Sequence, residues 1–551
     1  MRLTRRSASF VAVAASVALA ATACGGDSGS SGNDGDGGDG GTFRLGITEP
    51  VAIDPYNAQE SEGILVTKQL FAGLTDATAE GEVVNVLAEE ISQNDDCTEW
   101  TFTLKEGTEF SNGEPVNAAA FLRGWNRAAV QSAASDVAYH LGGIEGFSEV
   151  NEGSATELSG ATAPDENTLV VTLAEPDCEF DAKTTHPVYS PVPEVAGAAD
   201  NAEYNDMPIG NGPFKMAEPW QHDSSITLVR NETYGAGDPA NLERVEITIL
   251  NPDNAADLEY QGFQAGQFDW ARLPTPQLSA AKQRFEPQGQ WIEQNTNGMN
   301  YLLPIHDSAP FNSVAARQAV SWAIDRDAII SGVFQGFQTK ASTLVPPAFE
   351  DFYQEGACES CAQGPDAAKA QQLAQEAGLP PGTQIKLAYN TGAGHEEWIQ
   401  AVSAQLQDVL GWQVELVGQP FPELLAAQQA VGATGLFRFA WGADYPTPDN
   451  FLYPLLATPA INKNAEGVVQ GDNRARYSNP QFDELVLQAR AATDEAERTR
   501  LNQEAEKIAL NDMAMIPLWN RTQFRLFNSN DFENVQMDFN ENPNLATLSA
   551  R

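Results

Sequence analysis

From Thr42 to Arg551, short strands of alternating apolar and polar residues interleave with amphipathic helices, and this mixture of periods restricts the fold more than any other feature. Strands are expected at Trp100–Lys105 (WTFTLK), Thr168–Leu173 (TLVVTL), Ser225–Val229 and Val245–Leu250. Helices are expected at Ala316–Ser331, Pro365–Ala377, Glu396–Leu410 and Asp494–Ile508; the last carries Glu and Arg at the spacing of solvent-exposed helical pairs. Interleaving of this kind without an internal repeat points to α/β architecture. At 551 residues the chain exceeds what one core organises, so two or three lobes are expected. The 26 Phe, 12 Tyr and 10 Trp residues supply a large core and exclude overall disorder. Gly212-Pro213 and Gly364-Pro365 mark turns.

Charge excludes one class of partner. With 31 Lys and Arg against 76 Asp and Glu, the net charge of -45 repels phosphate backbones, so no nucleic-acid partner is expected. A bare anionic membrane surface is unattractive for the same reason.

The first residues, MRLTRRSASFVAVAASVALAATAC, set three arginines before an apolar run from Phe10 to Ala21 and then small residues. That is the order of an export signal, and the apolar run is short for a membrane span. Residues 1–23 are therefore read as a signal peptide. Ala21-Thr22-Ala23-Cys24 is similar to a bacterial lipobox, with Ala21 where such boxes usually carry leucine; Cys24 would become a lipidated N-terminus. The alternative is an ordinary signal peptide followed by chance by a cysteine. Arg5-Arg6 leaves the twin-arginine route open beside the general one. Residues 25–41 contain only Gly, Asp, Ser and Asn, so 24–41 is read as a lipidated cysteine and flexible tether of about 20–25 Å reach. Asp34, Asp36 and Asp39 lack the glutamate that would close a calcium loop.

Four cysteines remain, and an even count in an exported chain favours disulfides. Two structural bridges are expected, Cys97–Cys178 and Cys358–Cys361, although spacing does not derive the pairing. A redox or zinc role for Cys358-Glu359-Ser360-Cys361 is the sharper alternative. Zinc needs further ligands, and the five histidines have no ligand-like spacing. No metal or other cofactor is expected. The chain contains no GxxxxGK[ST], HExxH or GxSxG motif, and no GxGxxG after a strand. Glu89-Glu90 and Asp95-Asp96 are read as surface pairs rather than catalytic carboxylates. Nothing here announces an enzyme.

The run LAEEISQNDDCTEWTFTLKEGTEFSNGEPVNAAAF (87–121) resembles the signature of the family 5 extracellular solute-binding proteins of ABC importers. Further similar runs follow in the family's order: TLVVTLAEPDCEF (168–180), HPVYSPVPEVA (186–196), PIGNGPFKM (208–216), RQAVSWAIDRDAII (317–330), WGADYPTPDNFL (441–452) and IPLWN (516–520). The resemblance implies a two-lobed periplasmic-binding-protein-like α/β fold that hinges shut on its ligand. It divides the chain into a discontinuous lobe I (42–71, 196–293 and 517–551), an inserted subdomain (72–195) and lobe II (294–516).

The oligopeptide- and dipeptide-binding members imply a site. Asp444 in Trp441-Gly442-Ala443-Asp444-Tyr445 stands where such proteins hold a peptide's α-ammonium group, and Trp441 would wall the pocket. Arg438 and His395 resemble positions near the ligand's carboxylate, Arg through its planar fork and His if protonated. The bland readings are a turn-forming Asp, a core Trp, a surface Arg and a loop His. No lysine follows the Ala316 helix as in some relatives, and Glu60 and Glu62 lie near but out of register with an expected acidic partner. The resemblance implies short peptides as ligand, ABC permease and ATPase subunits as partners, membrane attachment through lipid, a monomer, and no catalysis. An oligosaccharide, nickel chelate or haem on the same fold, and a surface-anchored hydrolase, are the alternatives.

Overall fold

The computed structural model describes residues 41–391, 393–464, 466–469 and 471–551. Cys24, Asp34, Asp36, Asp39 and all but the last residue of the expected tether lie outside the described residues. The expected strands are present to within a residue or two, as Glu99–Leu104, Thr168–Thr172, Ser225–Arg230 and Arg244–Ile249. So are the helices Ala367–Glu376 and Glu396–Leu410, and the last expected helix runs three residues further than expected, as Glu495–Asn511. The single helix expected over 316–331 is instead two, Val314–Ala323 and Arg326–Gly332. The break has a local cause: Asp325 takes an extended backbone and its carboxylate accepts from the Ala328 N–H at 2.9 Å, capping the second helix. Buried Arg326 then donates to the carbonyls of Pro517 and Ser321.

Apolar side chains gather into three large cores among the described residues, with a small fourth cluster around Phe263 and Phe285. The N-terminal core is discontinuous in sequence. It joins Phe43, Leu45 and Leu65 to Phe214, Ile226, Val245 and Ile247, and again to Phe532, Leu545 and Leu548. Its sheet runs Thr42–Ile47, Arg244–Ile249, Ser225–Arg230, Phe214–Met216, the first pair parallel and the others antiparallel. The inserted core is built from residues 72–189 with Ala236. It packs an antiparallel sheet of Ala88–Gln93, Glu99–Leu104, Thr168–Thr172 and Ala161–Thr162 against the helix Ala118–Ala129. That helix is capped by Asn117 and buries Phe121 and Trp125 one turn apart.

The large core holds residues from Met299 to Trp519, plus Phe539. Its sheet runs Trp270–Arg272, Ile516–Phe527, Trp291–Pro304, Leu436–Gly442, Gln384–Asn390, Gln413–Gln419, with Thr339–Lys340 also pairing onto 516–527. Two of these strands pass from one core to another. Ile292 and Phe527 pack on the N-terminal core, whereas Met299, Tyr301, Ile516 and Trp519 belong to the large core. Between those ends the pairing of the two strands slips, from Asn295 opposite Thr522 to Met299 opposite Asn520. Gly298 lies in the slip. A Cβ there would come within 2.6 Å of Arg521 Cδ and 3.1 Å of the Trp441 carbonyl, so only glycine lets Arg521 cross at that point. No helix among the described residues is long and apolar enough to cross a membrane.

Both expected disulfides are present. Cys97 bonds Cys178 across 81 residues of the inserted part, and Cys358 bonds Cys361 beside Ser321 and Ser360 in the large core.

Candidate functional site

The strand Leu436–Gly442 carries the site. On one side it pairs along its whole length with 291–304, from Pro304 opposite Leu436 to Gly298 opposite Gly442. On the other side it pairs with 384–390 only at Leu436 and Phe437. Beyond Phe437 that edge has no strand partner among the described residues. Ala443 donates its N–H to the Asn297 carbonyl, so strand alternation turns the backbone groups of Gly442 and Ala440 to the open edge. The strand thus ends in an unpaired ribbon leading straight into the turn at Asp444.

One side chain organises that turn. Asn450 is fully buried, and its Oδ1 accepts from Trp441 Nε1 at 2.7 Å and from the Asp444 N–H at 3.1 Å. Its Nδ2 donates to Asp444 Oδ2 at 3.3 Å. Trp441 and Asp444 are therefore held by a common partner. Asp444 has no cation within ion-pair distance among the described residues. Desolvation, aided by the Asp472 carboxylate, pushes its carboxyl up to about 7, against the hydrogen bond from Asn450.

Arg438 stands at the other end of the open edge. Its guanidinium donates to Asn390 Oδ1 at 3.1 Å and more weakly to Asn300 Oδ1 at 3.4 Å. No carboxylate compensates it among the described residues. Burial first, and Arg521 second, lower it to about 10. His395 is close enough to feel this charge: desolvation and then Arg438 push its imidazole down to about 3. Its Nδ1 accepts from Trp398 Nε1 at 3.2 Å, which leaves the proton on Nε2 of a neutral ring. His395 is therefore neutral near pH 7, and any contribution to an anion is as a neutral donor. The four expected residues thus form two clusters, Trp441 with Asp444 and Arg438 with His395, at the two ends of one strand.

Sequence reading did not single out what faces them. Tyr139 comes from the inserted part and keeps 46% of its surface accessible. Yet desolvation, followed by the Asp444 and Asp472 carboxylates, raises its phenol well above the ordinary value. Tyr139 therefore lies within electrostatic reach of both carboxylates. Its ring stacks on His140 at 4.2 Å, and His140 stacks on His186 at 4.0 Å. Asp472, whose charge acts on both Tyr139 and Asp444, is paired with Arg474 at 2.9 Å, and the Arg474 guanidinium lies 5.2 Å from the Phe439 ring. Glu60 and Glu62 are engaged elsewhere. Glu60 caps the helix Ser61–Leu70 through the Gly63 N–H and also accepts from the Val51 N–H outside it, and Glu62 accepts from Thr48 and faces Arg272 at 3.5 Å. Asn450 lies within the 441–452 run, although no role was read for it there; no motif carries Tyr139 or Asp472, and only folding brings these two near Asp444. A separate cavity of about 930 Å³ has Thr447, Asp538, Glu541 and Arg498 in its wall, and none of the four expected residues lines it. Among the described residues no group of three His, Cys, Asp or Glu side chains is placed to hold a metal ion.

The sequence model of the bacterial extracellular solute-binding proteins, family 5 (middle) matches residues 82–463. The chain belongs to this family. The oligopeptide-binding protein OppA of Bacillus subtilis is 31% identical over 489 residues, covering 86% of each chain. The dipeptide-binding protein DppE of the same organism is 28% identical over 502 residues, covering 87% of this chain and 86% of that one. Among solved structures, clavulanic acid biosynthesis oligopeptide binding protein 2 superposes with a TM-score of 0.83 at 22% identity, over 93% of this chain and 96% of that one. That likeness, together with the family, establishes the two-lobed α/β solute-binding fold.

Proposed function

We propose that this chain is the peptide-capturing lipoprotein of an ABC importer, binding short peptides between its lobes and passing them to a membrane permease and its ATPase. One observation carries the reading. A single open strand edge has a half-buried carboxylate with no cation partner at one end and a half-buried guanidinium with no carboxylate partner at the other, among the described residues. A peptide in extended form presents an ammonium, a row of backbone donors and acceptors, and a carboxylate, in that order. It would add to the edge as a further strand, with Asp444 at its amino end, Arg438 and neutral His395 toward its carboxyl end, and Trp441 and Tyr139 as walls. Six residues separate Arg438 from Asp444, at most about 20 Å of strand, which suits a peptide of a few residues.

The core memberships support lobe I as 42–71, 196–293 and 517–551, the inserted subdomain as 72–195 and lobe II as 294–516 in outline, although Leu518, Trp519 and Phe539 pack in the large core and Val192 in the N-terminal one. The pairing slip near Asn295 supports a hinge in the two crossing strands. Residues 1–23 act as the signal peptide, Cys24 carries the lipid, 24–41 tether the body outside the cell membrane, and the protein works as a monomer without catalysis. Thermal unfolding after unfolding and refolding, with pools of two- to eight-residue peptides, tests the ligand. Stabilisation by free but not N-acetylated peptides is expected, since a ligand at 100 times its Kd adds about 2.7 kcal/mol. A shift with oligosaccharides or nickel chelates, and none with peptides, would reject the peptide assignment.

A further inference from the structure

The Asp444 turn is gripped from the inserted subdomain by a buried network of charges. Lys183 Nζ lies 3.3 Å from Asp449 Oδ2 and 5.2 Å from the centre of the Tyr445 ring. Tyr445, next to Asp444, donates its hydroxyl to the same Asp449 oxygen at 3.1 Å. Asn450, which holds Asp444 and Trp441, follows Asp449 directly. Lys183 also pairs with Asp177, which accepts from Arg490 at 2.7 Å, and Arg490 Nε is 4.0 Å from Asp449 Oδ1. Asp177 and Lys183 belong to the inserted part, whereas Asp449 and Arg490 belong to the large core. Two acids and two bases therefore close a neutral ring across the boundary. The backbone is stitched at the same place, since the Cys178 N–H donates to the Arg490 carbonyl at 2.7 Å. Arg498 pairs with Glu179 at 3.2 Å beside it.

A ring like this has a cost unless it is complete, because each charge is taken from water and offset only by its partners. Parting the inserted subdomain from the large core strips Lys183 from Asp449 and leaves Tyr445 with a carboxylate paired only on one side. We propose that Lys183 is a positioning residue for the ligand: acting through Asp449 and Tyr445, it sets the turn that carries Asp444, so the amine site is complete only when the two lobes are together. The ligand need not then build its own anchor. It meets one assembled by closure, and closure is favoured by the ring even before ligand arrives. This rests on the peptide reading of the Asp444 turn.

The test uses the full exported chain as wild type, Lys183→Met and Lys183→Arg, read in two ways. Small-angle scattering without ligand reports lobe separation. Titration with tri-, tetra- and penta-alanine, free and N-acetylated, reports the anchor. Lys183→Met is expected to enlarge the ligand-free radius of gyration, weaken the free peptides at least ten-fold, and bring the ratio of free to acetylated affinity toward one. Lys183→Arg should restore both readouts. A loss of folding alone would not move that ratio; if Lys183→Met does not fold, Lys183→Gln, which removes the charge and keeps a donor, gives the same two readouts. Unchanged radius and unchanged ratio in the charge-removing variant would overturn the proposal. If wild type binds none of the peptides, the peptide reading fails and takes the positioning role with it; if wild type discriminates and the variant discriminates equally, the positioning role alone fails.

Discussion

Replacing Asp444 by asparagine should make the ligand-free protein more stable while removing its ligand. The carboxyl titrates at 3.8 in an unfolded chain and at about 7 in the fold, because burial and Asp472 penalise its charge. The folded state therefore holds the proton more tightly than the unfolded state, and stability falls as pH rises from about 4 to 7. At 1.36 kcal/mol per pH unit the difference reaches about 4 kcal/mol at and above neutrality, an order of magnitude rather than a fixed value. Asp444→Asn removes that penalty and keeps an oxygen to accept from Asn450. In thermal unfolding at pH 7.5 the variant should melt a few degrees above wild type without peptide. At pH 4 the two should melt nearly together. The peptide-induced shift should vanish in the variant at both pH values. A variant that melts lower than wild type at pH 7.5 would refute the penalty in the fold, and one that still responds to free peptides would refute the use of the charge by the ligand.

Peptide affinity should itself depend on pH. An ammonium partner needs Asp444 ionised, so binding near pH 5 is expected to be roughly 50-fold weaker than near pH 7 by proton linkage, measured by calorimetry in buffers of different ionisation enthalpy. Arg438→Met should weaken free-acid peptides about 10–100-fold and leave C-terminally amidated ones little changed, as loss of one charge-assisted contact would do. Removing the Cys97–Cys178 bridge by paired Ser substitutions should cost about 4 kcal/mol of stability, because it closes 81 residues. Removing Cys358–Cys361, which are only 3 residues apart, should cost about 1–2 kcal/mol, read by denaturant unfolding. Cys24→Ala should move the protein from the membrane fraction to the soluble fraction, and continued membrane association would contradict the lipid anchor.

Much of the fold was legible because it is written in local periods. The alternation of EWTFTL and the spacing of apolar residues in 396–410 bury one face whatever surrounds them, so these elements appear where the pattern puts them. The break at Asp325 was missed because apolar spacing continues through it, while the capping carboxylate and the buried Arg326 act against the helix. The site divides in the same way. Asp444, Trp441, Arg438 and His395 lie in or beside recognisable runs, whereas the protonation state of His395 was left open by the sequence. Its neutrality comes from burial and from Arg438, which lies 43 positions further along the chain.

The sequence by itself determined the α/β class, the strand and helix faces and the family, and it supplied the residues proposed for the two ends of a peptide. Each of these depends on near neighbours or on short runs in order. Only the tertiary structure decided that Asn450 ties Trp441 to Asp444 and that the 436–442 strand runs out of partners after Phe437. It also decided that Tyr139, from the inserted part, lies within electrostatic reach of Asp444 and that Lys183 reaches Asp449. The Asn450 contacts lie within one short run but depend on the geometry of its turn, whereas the Tyr139 and Lys183 contacts join parts of the chain more than a hundred residues apart, and a linear pattern carries neither.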